Sequence, residues 1–423
     1  MYPYNFDKLK NGITVLKVPI SGSESVVVNF FVKTGSRYEI AEQRGISHFL
    51  EHLLFKGTRK YPNAKLLSTT IESIGAEYNA ATGKEYTVFY IKAASRHLPL
   101  IFDVLSDMLQ APKLDPREIE REKGVIVEEM NMYRDTPMRY IYDVFEEHLW
   151  PGSDLGAQII GNEKTVTAIR REDLKKYIQE RYVGKNLILA IAGKYNERQL
   201  DRLIGRYWAG KPAGAAVSFK SPLSRSNQRK VKIHFKKTQQ AHLAWGFEAF
   251  SYSHPQVYVL EVLANLLGGG MSSRLFSEIR ERRGLAYYVK MGAVHYQDTG
   301  SAVITAGLRL EKIEEAIKVI GSELNKLKLK QVGKEELKKA KENIKGRLTL
   351  SLEDSERRLE WYLEQIAFRK KVLTPQAVFR KIDAVTPRQI QGLARQLFGK
   401  DKMRLAVIGP YRGQERKFER LMR

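Results

Sequence analysis

A chain of 423 residues exceeds what one ordinary hydrophobic core organises, so two or more domains are expected. No apolar run reaches the roughly 18 residues of a bilayer span, and the absence of cysteine excludes a disulfide framework or a thiolate metal site, in keeping with a reducing, cytoplasmic location. The formal net charge of +24 raises nucleic acid as a partner, but the basic residues are scattered and no zinc-finger, RNP-like or helix-turn-helix signature accompanies them, so neither nucleic acid nor membrane is expected to bind.

The first residues lack the apolar stretch of a signal peptide and read as a turn at Asn11-Gly12 followed by a strand over 13–19. Residues 25–33, SVVVNFFVK, are apolar nearly throughout, as for a strand covered on both faces. The next segment, ISHFLEHLLFKGTR, places Ile46, Phe49, Leu50, Leu53, Leu54 and Phe55 around most of a helix, so this helix should be buried, with Gly57 as its stop. Into it the sequence sets His48, Glu51 and His52, which share one face with Cβ atoms roughly 5–6 Å apart. A buried ionised Glu without a partner is costly. A divalent ion removes the conflict: imidazoles four residues apart can both bind Zn²⁺, and Glu51 beside them can take a proton from a bound water.

Beyond this helix, Lys65–Ile74 reads as a second one stopped at Gly75, and residues 77–82 and 85–93 as two strands about a Gly83 turn. His97–Gln110 is an amphipathic helix. Asp115-Pro116-Arg117-Glu118 is a strong helix start, with a capping acid, Pro in the first turn and Glu three residues on. The helix it opens carries Glu122 and Glu129, two turns apart on a face shared with Val125 and Ile126. A catalytic zinc site takes three protein ligands and keeps one position open, so either carboxylate is a candidate third ligand. Glu128 lies about 100° round the helix from Glu129, and with Glu118 and Glu120 it reads as solvated surface. Residues 172–182 are helical, Leu187–Ala192 is a short buried strand ending at Gly193, and a further helix runs to Tyr207. Lys211–Arg229, rich in Pro, Gly, Ala and Ser, reads as a linker between domains at 1–210 and 230–423.

The second half repeats the first. Ala168, Leu174, Ala190, Gly193 and Tyr195 are matched 216 residues later by Ala384, Ile390, Ala406, Gly409 and Tyr411. HFLEHLLFKG (48–57) aligns with EVLANLLGGG (261–270), where Glu261, Ala264 and Asn265 stand in place of His48, Glu51 and His52. Two homologous halves of about 200 residues follow, only one with a metal group. Strands mixed with hairpins and helix pairs argue for an α+β fold with a largely antiparallel sheet in each domain. Gly268-Gly269-Gly270 lacks the Lys-Ser/Thr of a phosphate loop and reads as a turn, capped by Ser272 or Ser273, into the helix RLFSEIRER.

These residues together resemble the pitrilysin and mitochondrial processing peptidase family of zinc endopeptidases, the inverzincins, whose H-x-x-E-H order HFLEHLLFKGT shows. The resemblance covers nearly the whole chain. It implies one Zn²⁺ on His48, His52 and Glu129, the last from VIVEEM, with Glu51 as general base and Glu122 as a carboxylate that steadies the site. NAATGKEYTVFYIKA resembles the family's substrate-binding edge strand, which implies that an extended peptide adds itself along Asn79, Ala80 and Ala81 with Phe55 nearby. RLFSEIRERRGLAYYV resembles an element that implies Arg280 and Tyr287 as donors to the oxyanion. Short members of the family pair, so a homodimer, or a heterodimer with a related subunit, closing as a clamshell is implied, with the Arg/Tyr element facing the partner's metal. The expected activity is hydrolysis of short or extended peptides; the rival is a non-catalytic structural subunit.

Overall fold

The computed structural model describes residues 3–222, 229–369, 371–399 and 401–422. Its strands are β1 (Asn5–Lys8), β2 (Thr14–Pro19), β3 (Ser25–Val32), β4 (Glu77–Thr82), β5 (Thr87–Ala94), β6 (Leu187–Gly193), β7 (Val231–Phe235), β8 (Gln240–Glu248), β9 (Ala286–His295), β10 (Gly300–Arg309) and β11 (Arg404–Gly409). They form two sheets, ordered β1-β2-β6-β3-β5-β4 and β7-β11-β8-β10-β9. Each contains one parallel pair, β2 with β6 and β7 with β11, and is otherwise antiparallel. The order β2-β6-β3-β5-β4 is therefore repeated strand for strand by β7-β11-β8-β10-β9, the structural form of the repeat seen in sequence. In each half the second of these strands to appear in the chain, β3 or β8, leads toward the helix compared above: Ile46–Leu54 in the first half, Val257–Gly268 in the second.

The chain divides into two compact units that are discontinuous in sequence: residues 1–132, 157–220 and 351–367 form one, and residues 133–156, 221–350 and 368–423 the other. This differs from the expected division at 1–210 and 230–423, because each unit includes a helix from the other half of the sequence. Helix Pro137–Leu149 belongs to the second unit, where Ile141, Val144 and Phe145 pack with Ala244, Val303, Ala406 and Ile408 of the sheet. Helix Ser355–Phe368 belongs, but for its last residue, to the first, where Tyr362 stacks on Tyr4 at 4.5 Å and Asp354, just ahead of the helix, pairs with Lys92 of β5 at 3.0 Å. An apolar stripe on a helix shows that it must be covered, not which sheet covers it. Of the expected linker, residues 223–228 lie outside the described residues. Its earlier part is fastened to the first unit: Gly184 and Lys185 donate to the carbonyls of Pro212 and Ala213, and Val217 donates to the Asn186 side chain.

In the first unit β3 is buried along its length, as its unbroken apolar sequence requires, and Phe30 packs against Phe102 and Trp208. The helix carrying the two histidines ends at Leu54 with Phe55 as its cap, three residues before Gly57. Gly57 has another duty: at φ 132° a Cβ there would lie 2.7 Å from the Pro62 carbonyl oxygen. The strand expected at 85–93 begins at Thr87, because Lys84–Tyr86 form a turn in which Gly83 donates to the Tyr86 carbonyl and Arg37 to that of Lys84.

The start of the histidine helix depends on Gly45, which caps it at φ 98°. A Cβ at Gly45 would meet the Ile160 carbonyl oxygen at 2.7 Å and a Val166 methyl at 2.9 Å. Gly45→Ala should therefore destabilise the protein by roughly 2–4 kcal/mol, strain and clash acting together. Chemical denaturation of variant and wild type measures it; unchanged stability would show that the loop relaxes freely.

Candidate metal centre

Six of the nine residues of helix Ile46–Leu54 are buried, so its polar side chains must find partners within the fold. At its start the Glu39 carboxylate accepts hydrogen bonds from the backbone N–H groups of Gly45 (2.7 Å) and Ser47 (2.9 Å), two donors that a helix N-terminus leaves without intrahelical acceptors. Behind it, the Ser47 hydroxyl lies 2.7 Å from that of Tyr177, which lies 3.1 Å from Thr34 Oγ1. The helix is thus held at its first turn before its exposed face is considered.

That face carries His48, Glu51 and His52, and the long helix Pro116–Arg134 brings Glu122 and Glu129 to it. One ligand atom from each of His48, His52 and Glu129 lies within 4.8 Å of the others, the sole such group of three among the described residues. His48 Nε2 is 3.8 Å and His52 Nε2 3.4 Å from the two Glu129 oxygens, long for hydrogen bonds. Ligands of a tetrahedral ion with bonds of about 2.0–2.1 Å stand roughly 3.3 Å apart. Two imidazole nitrogens and a carboxylate oxygen near this spacing are a donor set that suits such an ion.

The surroundings fix the ring of His52. Its Nδ1 lies 3.2 Å from Glu122 Oε2, and Lys56 Nζ is 2.8 Å from Glu122 Oε1. Glu122 is 1 % exposed. Burial works against its charge, yet the bonds to His52 and Lys56 prevail and hold it below the usual carboxylate range. For His52 burial likewise opposes the charge, but Glu122 and Glu129 outweigh it, and its basicity is pushed up to about 9. His48, more deeply buried and beside His52, is pushed down to about 4. The Glu51 carboxyl is raised by burial and pulled back by Thr82, whose hydroxyl donates to its Oε2.

Other expected site residues lie nearby or apart. Phe55 caps the helix, its ring centroid 6.1 Å from that of Tyr78. Asn79, Ala80 and Ala81 lie on β4, the edge strand, where the Ala80 N–H donates to Asn79 Oδ1 at 2.9 Å. Arg280 and Tyr287 belong to the second unit. The Arg280 guanidinium sits 4.9 Å from the Phe276 ring centre and 5.7 Å from that of Tyr287, whose side chain at the start of edge strand β9 is 74 % exposed. Also in that unit, Asn265, the counterpart of His52, donates to Asn343 at 2.9 Å, an amide pair in place of imidazole and carboxylate. Sequence reading did not single out Lys56, Thr82 or Glu39. Lys56 follows His52 by four residues, a helical spacing, but its partner is on another helix; Glu39 and Thr82 act from segments with no periodic relation to the histidines.

Two family models match the sequence: insulinase (peptidase family M16) over residues 15–163, and the peptidase M16 inactive domain over 168–344. The chain is 34% identical over 404 residues to the uncharacterized zinc protease YmxG of Bacillus subtilis, covering 95% of this chain and 97% of that one. It is 32% identical over 408 residues to an uncharacterized zinc protease of Rickettsia felis, covering 96% and 98%. A crystal structure of a protease from Helicobacter pylori superposes with a TM-score of 0.90 at 23% identity over 97% of this chain and 100% of that one. A peptidase M16 inactive domain from Pseudomonas fluorescens gives 0.87 at 19%, over 96% and 98%. These two structures share the fold, a duplicated mixed sheet with helices. No helix among the described residues is long and apolar enough to cross a membrane.

Burial raises Glu39 from 4.5 to about 7. A carboxyl raised in the folded state stabilises it fully below pH 4.5, and that contribution is lost as pH rises to 7 and beyond. Glu39→Gln removes this titration. The stability difference between wild type and variant should move in the variant's favour by up to about 3 kcal/mol between pH 4.5 and 7.5. Urea midpoints of both metal-free proteins across that range check it; a constant difference would place the Glu39 titration near its ordinary value.

Proposed function

The chain belongs to peptidase family M16, and on that premise we propose that it is a zinc-dependent endopeptidase acting on short or extended, unfolded peptides. The observation that carries the reading is the His48, His52 and Glu129 group with Glu51 on the same helical face. His48, His52 and Glu129 would hold the zinc, which when bound would supply Lewis-acid polarisation of a water molecule and of the scissile carbonyl. Glu51 takes a proton from the attacking water and returns it to the leaving amine, a role suited to a carboxyl that burial makes more basic than usual. Glu122, held by Lys56, keeps the His52 ring turned with Nε2 toward the centre.

An extended peptide adds to the free edge of β4 through main-chain hydrogen bonds along Asn79, Ala80 and Ala81, displacing the Asn79 amide from the Ala80 N–H. Phe55 lines the adjacent surface. Such recognition reads little side-chain identity, so flexible segments are preferred to folded ones. Arg280 and Tyr287 donate to the developing oxyanion from a second copy of the chain, or from a related subunit, paired as a clamshell. The exposure of Tyr287 and its proximity to the Arg280 guanidinium support their availability to a partner.

Protein loaded with one zinc per chain should cleave an unstructured peptide library, with loss of cleavage on chelation. Glu51→Gln should retain the zinc and lose about 10²–10⁴-fold in kcat, whereas His48→Ala should lose the zinc. Metal analysis and mass spectrometry of the products read both. A folded, zinc-loaded wild type that cuts no peptide in the library would favour the structural-subunit reading.

Because the metal group and the Arg/Tyr pair lie in different units, pairing has its own test. Inactive Glu51→Gln and inactive Arg280→Ala proteins, mixed under conditions of subunit exchange, should regain up to about a quarter of wild-type activity, one complete site per mixed dimer. No recovery despite demonstrated exchange would mean that the pair serves its own chain or that Arg280→Ala is inactive for a reason other than a lost contact to the oxyanion.

A further inference from the structure

Thr82, the last residue of β4, has no part in the chemistry derived above, yet its hydroxyl donates to Glu51 Oε2 and its backbone N–H also turns to that carboxylate. No Lys or Arg forms a salt bridge with Glu51 among the described residues; its hydrogen-bond donor is this one threonine.

The turn beyond Thr82 is built to stay in place. Gly83 donates to the Tyr86 carbonyl at 2.8 Å, closing the hairpin between β4 and β5. Ser36 and Arg37 donate to the carbonyls of Gly83 and Lys84 at 3.2 and 2.9 Å. Gly35 lies so close that a Cβ there would come within 2.2 Å of the Gly83 oxygen. Arg37 and Glu85, both inaccessible to solvent or nearly so, form an ion pair at 2.6 Å beneath the turn. Edge-strand ends usually fray; this one is braced by backbone bonds, a close glycine contact and a buried ion pair.

We propose that Thr82 is a positioning residue for the peptidase reaction: by fixing one carboxylate oxygen of Glu51 it holds the other toward the water whose proton Glu51 takes. The inference rests on the endopeptidase reading and adds a coupling to substrate. Outward-facing groups alternate along a strand. Ala80 N–H and Thr82 N–H both point away from β5, the first to the Asn79 side chain and the second to Glu51. A peptide laid along β4 can displace the Asn79 amide. It cannot take the Thr82 position without dislodging the base, so the added ladder ends where Glu51 begins and the next peptide bond falls beside the base. The edge that holds the peptide and the residue that orients the base are thus one rigid strand.

The experiment compares wild type, Glu51→Gln, Thr82→Val and Thr82→Ser, each loaded with zinc and checked for metal content and secondary structure. Valine keeps the shape and suits a strand but lacks the hydroxyl; serine keeps the hydroxyl. Thr82→Val should retain one zinc per chain and a KM within about 2-fold of wild type while kcat falls roughly 10–100-fold, and Thr82→Ser should recover kcat to within about 3-fold. A Thr82→Val enzyme with wild-type kcat overturns the role. So does a change confined to KM, which would make Thr82 a substrate contact only, a Ser variant as impaired as Val, which would make the methyl group the feature that matters, or loss of zinc from Thr82→Val, which would make it a support of the metal site. A folded, zinc-loaded wild type as inert as Glu51→Gln overturns the endopeptidase reading and the positioning role with it; an active wild type confines any failure to Thr82.

Discussion

Placing two imidazoles and a carboxylate on a helix that is otherwise packed into the core is the constraint to which the first unit answers. Desolvating an ionisable group is costly unless something replaces the lost water. Most polar groups on helix Ile46–Leu54 are met from a different part of the chain: Glu39 receives the helix start, Tyr177 meets Ser47, Glu122 with Lys56 meets His52, Glu129 faces both imidazoles, and Thr82 meets Glu51. The nearly inaccessible Glu122 would be a liability on its own; between a lysine and an imidazole it fixes the direction of a ring. Partners on both ring nitrogens of His52 and on Glu51 fix the directions of those two groups, whereas the buried His48 Nδ1 has no hydrogen-bond partner among the described residues.

Duplication supplies the frame for this site and leaves half of the molecule free of it. The second sheet repeats the strand order of the first, and helix Val257–Gly268 follows β8 as the histidine helix follows β3. Where His52 would stand, Asn265 bonds to Asn343. An amide pair satisfies itself and carries no net charge, so the fold persists there without an ion. The edge strands β4 and β9 occupy equivalent places, but one carries Thr82 against Glu51 and the other presents an exposed Tyr287. The same architecture thus supports two different surfaces, and each unit includes a helix from the opposite half of the sequence.

Much of this was present in the amino-acid order. The buried character of β3 and of the histidine helix is written in consecutive apolar residues, and the shared face of His48, Glu51 and His52 follows from helical spacing alone. Asp115-Pro116 marks the start of the long helix, and the seven-residue separation of Glu122 from Glu129 puts both on one side of it. The near-repeat of AIAGKY as AVIGPY identifies β6 and β11 as equivalents before either is seen. Such features are local: they depend on a period, a cap or an alignment, each readable within a few turns of chain.

Tertiary structure decided the matters that periodicity does not encode. Helical spacing alone left Glu122 and Glu129 as alternatives and only the family resemblance separated them; the approach of the two helices sets Glu129 against both Nε2 atoms and Glu122 against His52 Nδ1. Glu39 reaches the helix from a loop, Lys56 reaches Glu122 across helices, and Thr82 reaches Glu51 from the end of a strand thirty-one residues on. Helices Pro137–Leu149 and Ser355–Phe368, which the sequence reading did not single out, each join the unit of the other half. An apolar stripe or a lone carboxylate specifies only what kind of partner it needs; which partner it receives is settled by where the whole chain brings distant segments together.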